Sequence, residues 1–233
     1  MLSHHKLFNW LLGYEIERKR YYLRAPKGPL KDFLSVPFPS PESPLSQTNI
    51  LSVDFETTGL DAVQDKLLSV GFVQLHHQQI YLSSCYHQII NTRQKLKADN
   101  VVIHQITDQQ QLQSGLPLQS VIETLLTALA GKIMLVHFAR IEREFLRQAC
   151  LELYGVAPSF PIIDTLMIAK RRLDKKDIAY DPSELRLASL RAKYHLPQYH
   201  GHNALNDAIA TAELFLAQTS QLSDHGQLKQ VLL

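Results

Sequence analysis

The chain has 233 residues, of which 45% are hydrophobic, 20% charged and 8% aromatic, a composition that excludes wholesale disorder. No window comes near the roughly 18 consecutive apolar residues of a transmembrane helix, and the first 25 residues mix charged with apolar side chains, unlike a secretory signal. The two cysteines, Cys85 and Cys150, form no CxxC pair, so we expect a reducing, cytoplasmic location.

The small net charge is unevenly distributed along the chain. Residues 1–32 hold seven Lys or Arg and three Asp or Glu, a net charge of +4, whereas the other 201 residues hold 17 Lys or Arg and 19 Asp or Glu, a net charge of −2. The main body is therefore not a generally basic nucleic-acid-binding surface. A polyanion would have to be held by local patches or by metal ions.

Residues 1–25 predict an amphipathic helical extension. Leu7, Trp10, Leu11 and Tyr14 are spaced three and four residues apart, which places them on one helix face. This helix would pack onto the main domain, dock on a partner protein or contact nucleic acid, and the sequence leaves these alternatives open.

A proline-rich segment follows the predicted helix. Six prolines fall within residues 26–44, and because proline fixes φ and lacks an amide donor, we expect neither a helix nor a central strand there. We therefore interpret residues 26–47 as an extended linker, residues 48–220 as the main domain and residues 221–233 as a C-terminal tail.

The main domain begins with three predicted strands and then alternates helices with strands, which predicts an α/β fold with a mixed five-stranded sheet flanked by helices. The second and third strands are predicted to form a hairpin that turns at residues 77–78. The predicted strands cover 49–55, 67–76, 79–86, 133–137 and 160–163, and the predicted helices cover 117–130, 139–154, 164–172, 183–194 and 203–218.

The first motif with chemical content ends the first strand, where the sequence reads Asp54-Phe55-Glu56-Thr57-Thr58-Gly59-Leu60. Because strand side chains alternate, Asp54 and Glu56 point to the same face. Neighbouring carboxylates repel each other, and burying them is costly unless a cation neutralises them. Gly59 permits a sharp turn, and the threonine hydroxyls and amides lie where a ligand would bind.

Two later segments supply further candidates. In His202-Asn203-Ala204-Leu205-Asn206-Asp207, the carboxylate of Asp207 lies in the first turns of a helix and His202 precedes it, an arrangement that suits a metal ligand beside a proton-transfer group. Glu142 lies at the edge of a packed helix face, whereas Glu144, about 200° further round that helix, is predicted to face solvent.

Together these segments resemble the motifs of the DEDDh family of 3′–5′ exonucleases, the DnaQ-like group that includes the epsilon proofreading subunit of bacterial DNA polymerase III. Members carry D-x-E-T-T-G, a middle motif similar to H-N-A-x-F-D-x-x-F-L, and a final H-x-A-x-x-D. The resemblance spans residues 48–218, with the first and last motifs complete. In the middle motif, Phe138 stands where the family usually has Asn, and Glu142 where it usually has Asp.

The resemblance implies a ribonuclease H-like fold and a two-metal mechanism that hydrolyses single-stranded or frayed DNA from its 3′ end to nucleoside 5′-monophosphates. His202 is the implied general base. The implied ligands of two Mg²⁺ or Mn²⁺ ions are Asp54, Glu56, Glu142 and Asp207.

The resemblance also implies a set of substrate-binding residues. His104 begins a stretch similar to the family's H-G-I-T and would approach the terminal nucleotide. We expect Asp164 to cap a helix or to support the ligands, and His137 to be structural. The residues implied to line the pocket of the terminal nucleotide are Thr57, Thr58, Gly59 and Leu60.

Two other functions stay open at this point. The same site would hydrolyse short RNA, which makes an exoribonuclease or oligoribonuclease an alternative. The departures at Phe138 and Glu142 also suit a catalytically weakened protein that keeps the fold and binds a partner through residues 1–25. We expect no membrane partner.

Overall fold

The computed structural model describes residues 4–92, 106–177, 179–220, 222 and 226–233, and for residues 4–12 and 108 it describes the backbone alone. The strands are β1 (Ile50–Thr57), β2 (Leu67–His76), β3 (Gln79–Ile89), β4 (Ile133–Val136) and β5 (Ile162–Asp164). The α-helices are α1 (His4–Arg24), α2 (Pro29–Ser35), α3 (Asp108–Ser114), α4 (Leu118–Leu129), α5 (Arg140–Tyr154), α6 (Thr165–Lys175), α7 (Leu187–Lys193) and α8 (Ala204–Thr219). Among these described helices, none is both long and apolar enough to cross a bilayer.

The five strands form one mixed sheet in the order β3-β2-β1-β4-β5. The first three strands pair antiparallel, and β4 and β5 join them in parallel. The hairpin between β2 and β3 turns at His77 and Gln78, whose φ angles are 47° and 56°, as expected for a two-residue turn that matches the strand twist. The predicted mixed sheet and hairpin are thus confirmed.

Strand β1 presents its two faces to different helices. Val53 and Phe55 belong to the core that the sheet shares with α4 and α5. On the other face, the Ser52 hydroxyl donates to the Ala208 carbonyl of α8 at 2.7 Å. Asp54 and Glu56 alternate with the core residues, so they share the face on which α8 lies.

Helix α8 lies very close to the sheet at Gly71 of β2. A Cβ atom on Gly71 would lie 2.2 Å from the backbone carbon of Ala204 and from the backbone nitrogen of Leu205. Gly71 pairs with Asp54 on one side and with His87 on the other. The missing side chain therefore lets the first turn of α8 rest directly on the sheet beside Asp54.

The prediction that no helix runs through residues 26–44 was wrong, because α2 lies there. Pro29 is at the first helical position, where the absent amide and the fixed φ cost nothing. Leu30, Phe33 and Leu34 are fully or almost fully buried and α2 packs against α4. Much of the segment interpreted as a linker is therefore packed onto the domain.

Helix α1 also packs onto the rest of the protein through its C-terminal half. The guanidinium of Arg18 is buried and donates to the Leu34 carbonyl, and Tyr21 packs against the same core as α2. Leu7, Trp10 and Leu11 of the predicted stripe lie outside the residues whose side chains are described. Ile16 and Leu23 are exposed on this helix.

The predicted helix over residues 183–194 is interrupted. A 3₁₀ turn covers Pro182–Leu185, Arg186 is extended, and α7 begins at Leu187. The Leu185 carbonyl accepts a hydrogen bond from Nε2 of His137 at 3.0 Å, and this contact competes with a continuous helical ladder. His137 also contacts the Thr165 hydroxyl at 2.7 Å, consistent with the structural role expected for it.

Backbone hydrogen bonds join the C-terminal segment to the chain just before β1. Leu45 donates its amide to the Gly226 carbonyl at 2.8 Å, and the Leu228 amide donates to the Ser43 carbonyl at 3.0 Å. Leu228, Val231 and Leu232 are buried, and the amide of Leu233 donates to Ile162 in β5. Residues 226–233, expected to be a tail, thus pack against the domain.

We expect Gly71→Ala to lower the free energy of unfolding by about 2–3 kcal/mol, because the added methyl group would push α8 off the sheet. Urea unfolding followed by circular dichroism measures the change. Gly13→Ala in α1 is the matched control: a Cβ atom there meets nothing within 4 Å, so this variant should gain about 0.5–1 kcal/mol. Equal stabilities for the two variants would contradict the close contact between α8 and β2.

Candidate active site

Three carboxylates meet at the end of β1. Asp54, Glu56 and Asp207 each offer an oxygen atom, and these three atoms lie within 4.8 Å of one another. Asp54 and Glu56 come from alternate positions of one strand, and Asp207 comes from the first turn of α8, which rests on Gly71. Asp54 and Glu56 of the D-x-E motif thus lie close to Asp207 of the final motif.

Glu142 adds a fourth carboxylate beside this group. It lies in the first turn of α5, is 3% exposed and interacts electrostatically with Asp54 and Glu56. Its Oε2 atom is buried without a hydrogen-bond partner among the described residues. Glu144 is 42% exposed and pairs with Arg143 at 3.1 Å, so the structure separates the two glutamates as predicted.

Burial and repulsion by neighbouring carboxylates disfavour the charged forms of Asp54, Glu142 and Asp207. Burial raises the pKa of Asp54 well above its ordinary value, and the negative charges of Glu142, Asp207 and Glu56 raise it further. Burial likewise raises the pKa of Glu142 and of Asp207. All the candidate ligand atoms are carboxylate oxygens, and Oε2 of Glu142 has no hydrogen-bond partner among the described residues. Such a set of oxygen donors suits a hard divalent cation such as Mg²⁺ or Mn²⁺.

Asp207 is held by groups of the segment before α8. The Asn203 amide donates to its Oδ2 at 3.2 Å, and the Tyr199 hydroxyl and the His202 amide lie close enough to lower the pKa of the same carboxylate. His202 has a left-handed φ of 63° and an exposed side chain. The sequence analysis did not single out Tyr199, and its position eight residues before Asp207 gave no signal for this contact.

A cavity of about 330 Å³ adjoins this segment. Its walls come from β3, from the start of α8 and from the region of α3. It is lined by His87, Ile89, Gln110, His200, His202 and Asn206, among others. None of the four carboxylates lines this cavity, but His202 and Asn203 do, and the Asn203 amide donates to Asp207.

The predicted substrate-binding residues form a tight turn after β1. The Thr57 hydroxyl donates to the Gly59 carbonyl at 2.7 Å, and the Thr58 hydroxyl donates to the Asp65 carboxylate at 3.1 Å. A Cβ atom on Gly59 would lie 2.4 Å from Oδ2 of Asp65, so a larger residue there would displace the carboxylate that accepts from Thr58, although the φ of Gly59 is not positive. Both threonine hydroxyls thus bond within the turn, which presents Leu60 with 71% exposure.

Asp164 at the end of β5 organises the start of α5. Its carboxylate accepts from the amides of Phe138 at 3.1 Å, Ala139 at 3.0 Å and Leu166 at 2.9 Å. The contact with Leu166 caps α6, as expected. The contact with Phe138, which has a φ of 74° and is 44% exposed, holds a bulky residue in a conformation that such residues disfavour. His104, the remaining predicted site residue, lies outside the described residues.

We expect the cation-free protein to be destabilised by its own carboxylates. The raised pKa values mean that the folded state binds protons more tightly than the unfolded chain, so stability falls as the pH rises from the acid range through those values. Asp54→Asn should therefore raise the free energy of unfolding by about 1–2 kcal/mol in EDTA at about pH 8. Adding Mg²⁺ should raise the melting temperature of the unsubstituted protein and leave that of the variant nearly unchanged.

The matched control for this substitution is Glu144→Gln on the exposed face of α5. It should change neither the stability in EDTA nor the response to Mg²⁺. If Asp54→Asn were no more stable than the unsubstituted protein in EDTA at that pH, the repulsion within the cluster would be contradicted. Thermal unfolding between about pH 5 and pH 8 measures both effects.

Known proteins that resemble this chain are exonucleases and polymerase components. The RNase T family, described as exonuclease, matches residues 51–215. The PolC-type DNA polymerase III of Thermotoga petrophila is 30% identical over 175 residues, which are 75% of this chain and 12% of that protein. The DNA polymerase III subunit epsilon-like protein of Rhodobacter capsulatus is 25% identical over 186 residues, which are 79% of this chain and 26% of that protein. The chain thus spans only a minor part of these relatives.

Solved structures show the same fold. The complex of Escherichia coli exonuclease I with single-stranded DNA has a TM-score of 0.61 at 16% identity, covering 76% of this chain and 41% of that chain. Exonuclease X in complex with 5′ overhanging duplex DNA has a TM-score of 0.58 at 18% identity, covering 78% of this chain and 96% of that chain. The ribonuclease H-like fold and the DnaQ-like resemblance are confirmed, and the chain belongs to the RNase T exonuclease family.

Proposed function

We propose that the protein is a metal-dependent 3′–5′ exonuclease. One observation carries the proposal: in a chain of the exonuclease family, oxygens of Asp54, Glu56 and Asp207 from two separate elements lie within 4.8 Å of one another, with buried Glu142 beside them. Assembling and burying such charge is costly unless it binds a cation.

We infer that the four carboxylates hold two Mg²⁺ or Mn²⁺ ions. Bound ions of this kind activate water and stabilise charge on the attacking and leaving oxygens of a phosphodiester. The unpartnered Oε2 of Glu142 supports a place for it among the ligands. Glutamate is one methylene longer than the family's usual aspartate, and it keeps the same donor atoms.

His202 is the proposed general base. It is exposed and lines the cavity next to the start of α8, five residues before Asp207 in the chain. An imidazole in this position would take the proton of the attacking water as the phosphodiester is cleaved.

The proposed substrate is the 3′ end of single-stranded or frayed DNA. Solved relatives of the same fold were captured with single-stranded DNA and with overhanging duplex DNA. Leu60 and Phe138 are apolar and exposed at the ends of β1 and β4, the same end of the sheet as the carboxylates. Such side chains pack against unstacked bases, which single strands offer more readily than duplexes. The product would be nucleoside 5′-monophosphates.

We further propose that residues 1–25 contact a protein partner and that the protein works in the cytoplasm. Exposed Ile16 and Leu23 on α1 support the first proposal. The free thiols of Cys85 and Cys150 support the second, because a reducing compartment preserves them.

The first test follows 5′-labelled single-stranded DNA and RNA oligomers over time with Mg²⁺, with Mn²⁺ and with EDTA. We expect a ladder that shortens from the 3′ end on DNA and that EDTA abolishes. Glu142→Ala and Asp207→Ala should each lower the rate about 100-fold or more, because bound ions contribute several kcal/mol to the transition state.

The matched control is Glu144→Ala, which removes an exposed carboxylate two residues from Glu142 and should leave the rate unchanged. A faster ladder on RNA would favour the exoribonuclease alternative. The absence of a ladder with either metal would contradict the proposed function and favour the partner-binding alternative.

A separate test addresses the proposed base. His202→Asn should lower the rate about 100-fold or more while leaving Mn²⁺ binding unchanged, because asparagine tolerates the left-handed backbone but cannot accept the proton in the same way. Mn²⁺ binding is measured by electron paramagnetic resonance on the substrate-free protein. A variant with full activity would exclude His202 as the base.

A further inference from the structure

Tyr199 connects Asp207 to a buried cation on the neighbouring helix. It lies in the segment between α7 and α8, and its hydroxyl is near enough to the Asp207 carboxylate to lower the pKa of that carboxylate. The geometry at Gly201 agrees: a Cβ atom there would lie 3.8 Å from the Tyr199 hydroxyl oxygen and 3.8 Å from Oδ1 of Asp207. Both oxygens therefore flank the open space above one glycine.

The ring of Tyr199 is held by Arg191 of α7. The guanidinium carbon lies 4.9 Å from the ring centroid, a cation–π contact. Arg191 is 3% exposed and donates to the Ala210 carbonyl at 2.7 Å. It also pairs with Glu213 at 2.7 Å. Tyr199 thus rests on a cation that is itself bound to α8.

Arg191 and Tyr199 contact each other, and both also contact α8. Arg191 contacts the second and third turns of α8, and Tyr199 contacts the first turn. Arg191 also donates to the Pro197 carbonyl at 2.9 Å, two residues before Tyr199. The tyrosine therefore has little freedom to move relative to the carboxylate beside it.

Asp207 needs such a constraint because its neighbours repel it. Glu56 and Asp54 lie on the adjacent strand, and a carboxylate free to rotate would turn away from them towards solvent. The Asn203 amide binds it from the start of α8, and the nearby phenol offers a side-chain donor from outside the helix. A carboxylate offers about four acceptor positions, so these groups still leave room for a cation.

We propose that Tyr199 is a positioning residue that holds the Asp207 carboxylate in the orientation required for divalent-cation binding. This proposal rests on the proposed function, since it assigns the preparation of that same site to the Arg191–Tyr199 pair. Partners that orient a ligand in this way affect metal affinity about 10–100-fold.

The test is Tyr199→Phe, which removes the hydroxyl and keeps the ring on Arg191. We expect the affinity for Mn²⁺, measured by electron paramagnetic resonance without substrate, to fall about tenfold or more. Saturating Mn²⁺ should restore most of the nuclease rate, because the variant keeps every proposed ligand. The free energy of unfolding in EDTA should be nearly unchanged. If Tyr199 only stabilised the fold, weaker Mn²⁺ binding would be accompanied by a lower free energy of unfolding.

Tyr180→Phe is the matched control. The Tyr180 hydroxyl donates to Asp174 at 3.3 Å, and the Lys170 ammonium lies 5.8 Å from its ring centroid, so the same kinds of contact occur away from the carboxylates. This variant should bind Mn²⁺ with unchanged affinity. Asp207→Asn provides the reference for a lost ligand.

The outcomes separate the two proposals. If Tyr199→Phe binds Mn²⁺ as tightly as the unsubstituted protein, the positioning role is overturned and the proposed function is untouched. If it binds more weakly but the unsubstituted protein cleaves no DNA or RNA, the positioning role stands and the proposed function fails. If the unsubstituted protein binds no Mn²⁺, both fail.

Discussion

Electrostatic repulsion among four carboxylates is the constraint that the rest of this fold must satisfy. Asp54, Glu56, Glu142 and Asp207 come together in a largely buried volume, where each loses hydration and faces like charges. No contact within the group offsets that cost. The stabilising free energy has to come from the apolar packing and hydrogen bonds of the surrounding elements.

The elements that carry the carboxylates are held in place by contacts of residues outside the carboxylate group. The Ser52 hydroxyl and the bare backbone at Gly71 bring α8 onto the sheet. Asp164 binds two amides at the start of α5 and so sets the direction from which Glu142 enters. The carboxylates are therefore positioned from the sheet side and from the starts of two helices.

The sequence predicted the elements whose geometry is local. Alternation along β1 placed Asp54 beside Glu56, and the helical period separated Glu142 from Glu144. It missed contacts between residues far apart in the chain or outside regular elements, such as Asp164 with Phe138, Asp65 with the turn after β1, and Tyr199 with Asp207. It also missed α2, because the count of prolines took no account of position: Pro29 begins the helix and the remaining prolines lie outside it.

The hydrogen bonds between residues 43–45 and 226–228 join the segment just before β1 to the C-terminal segment. Terminal segments of a domain are poorly ordered unless such contacts hold them down. These bonds therefore protect both segments against local opening. β1 and α8, which carry three of the four carboxylates, lie next to the two segments that are joined.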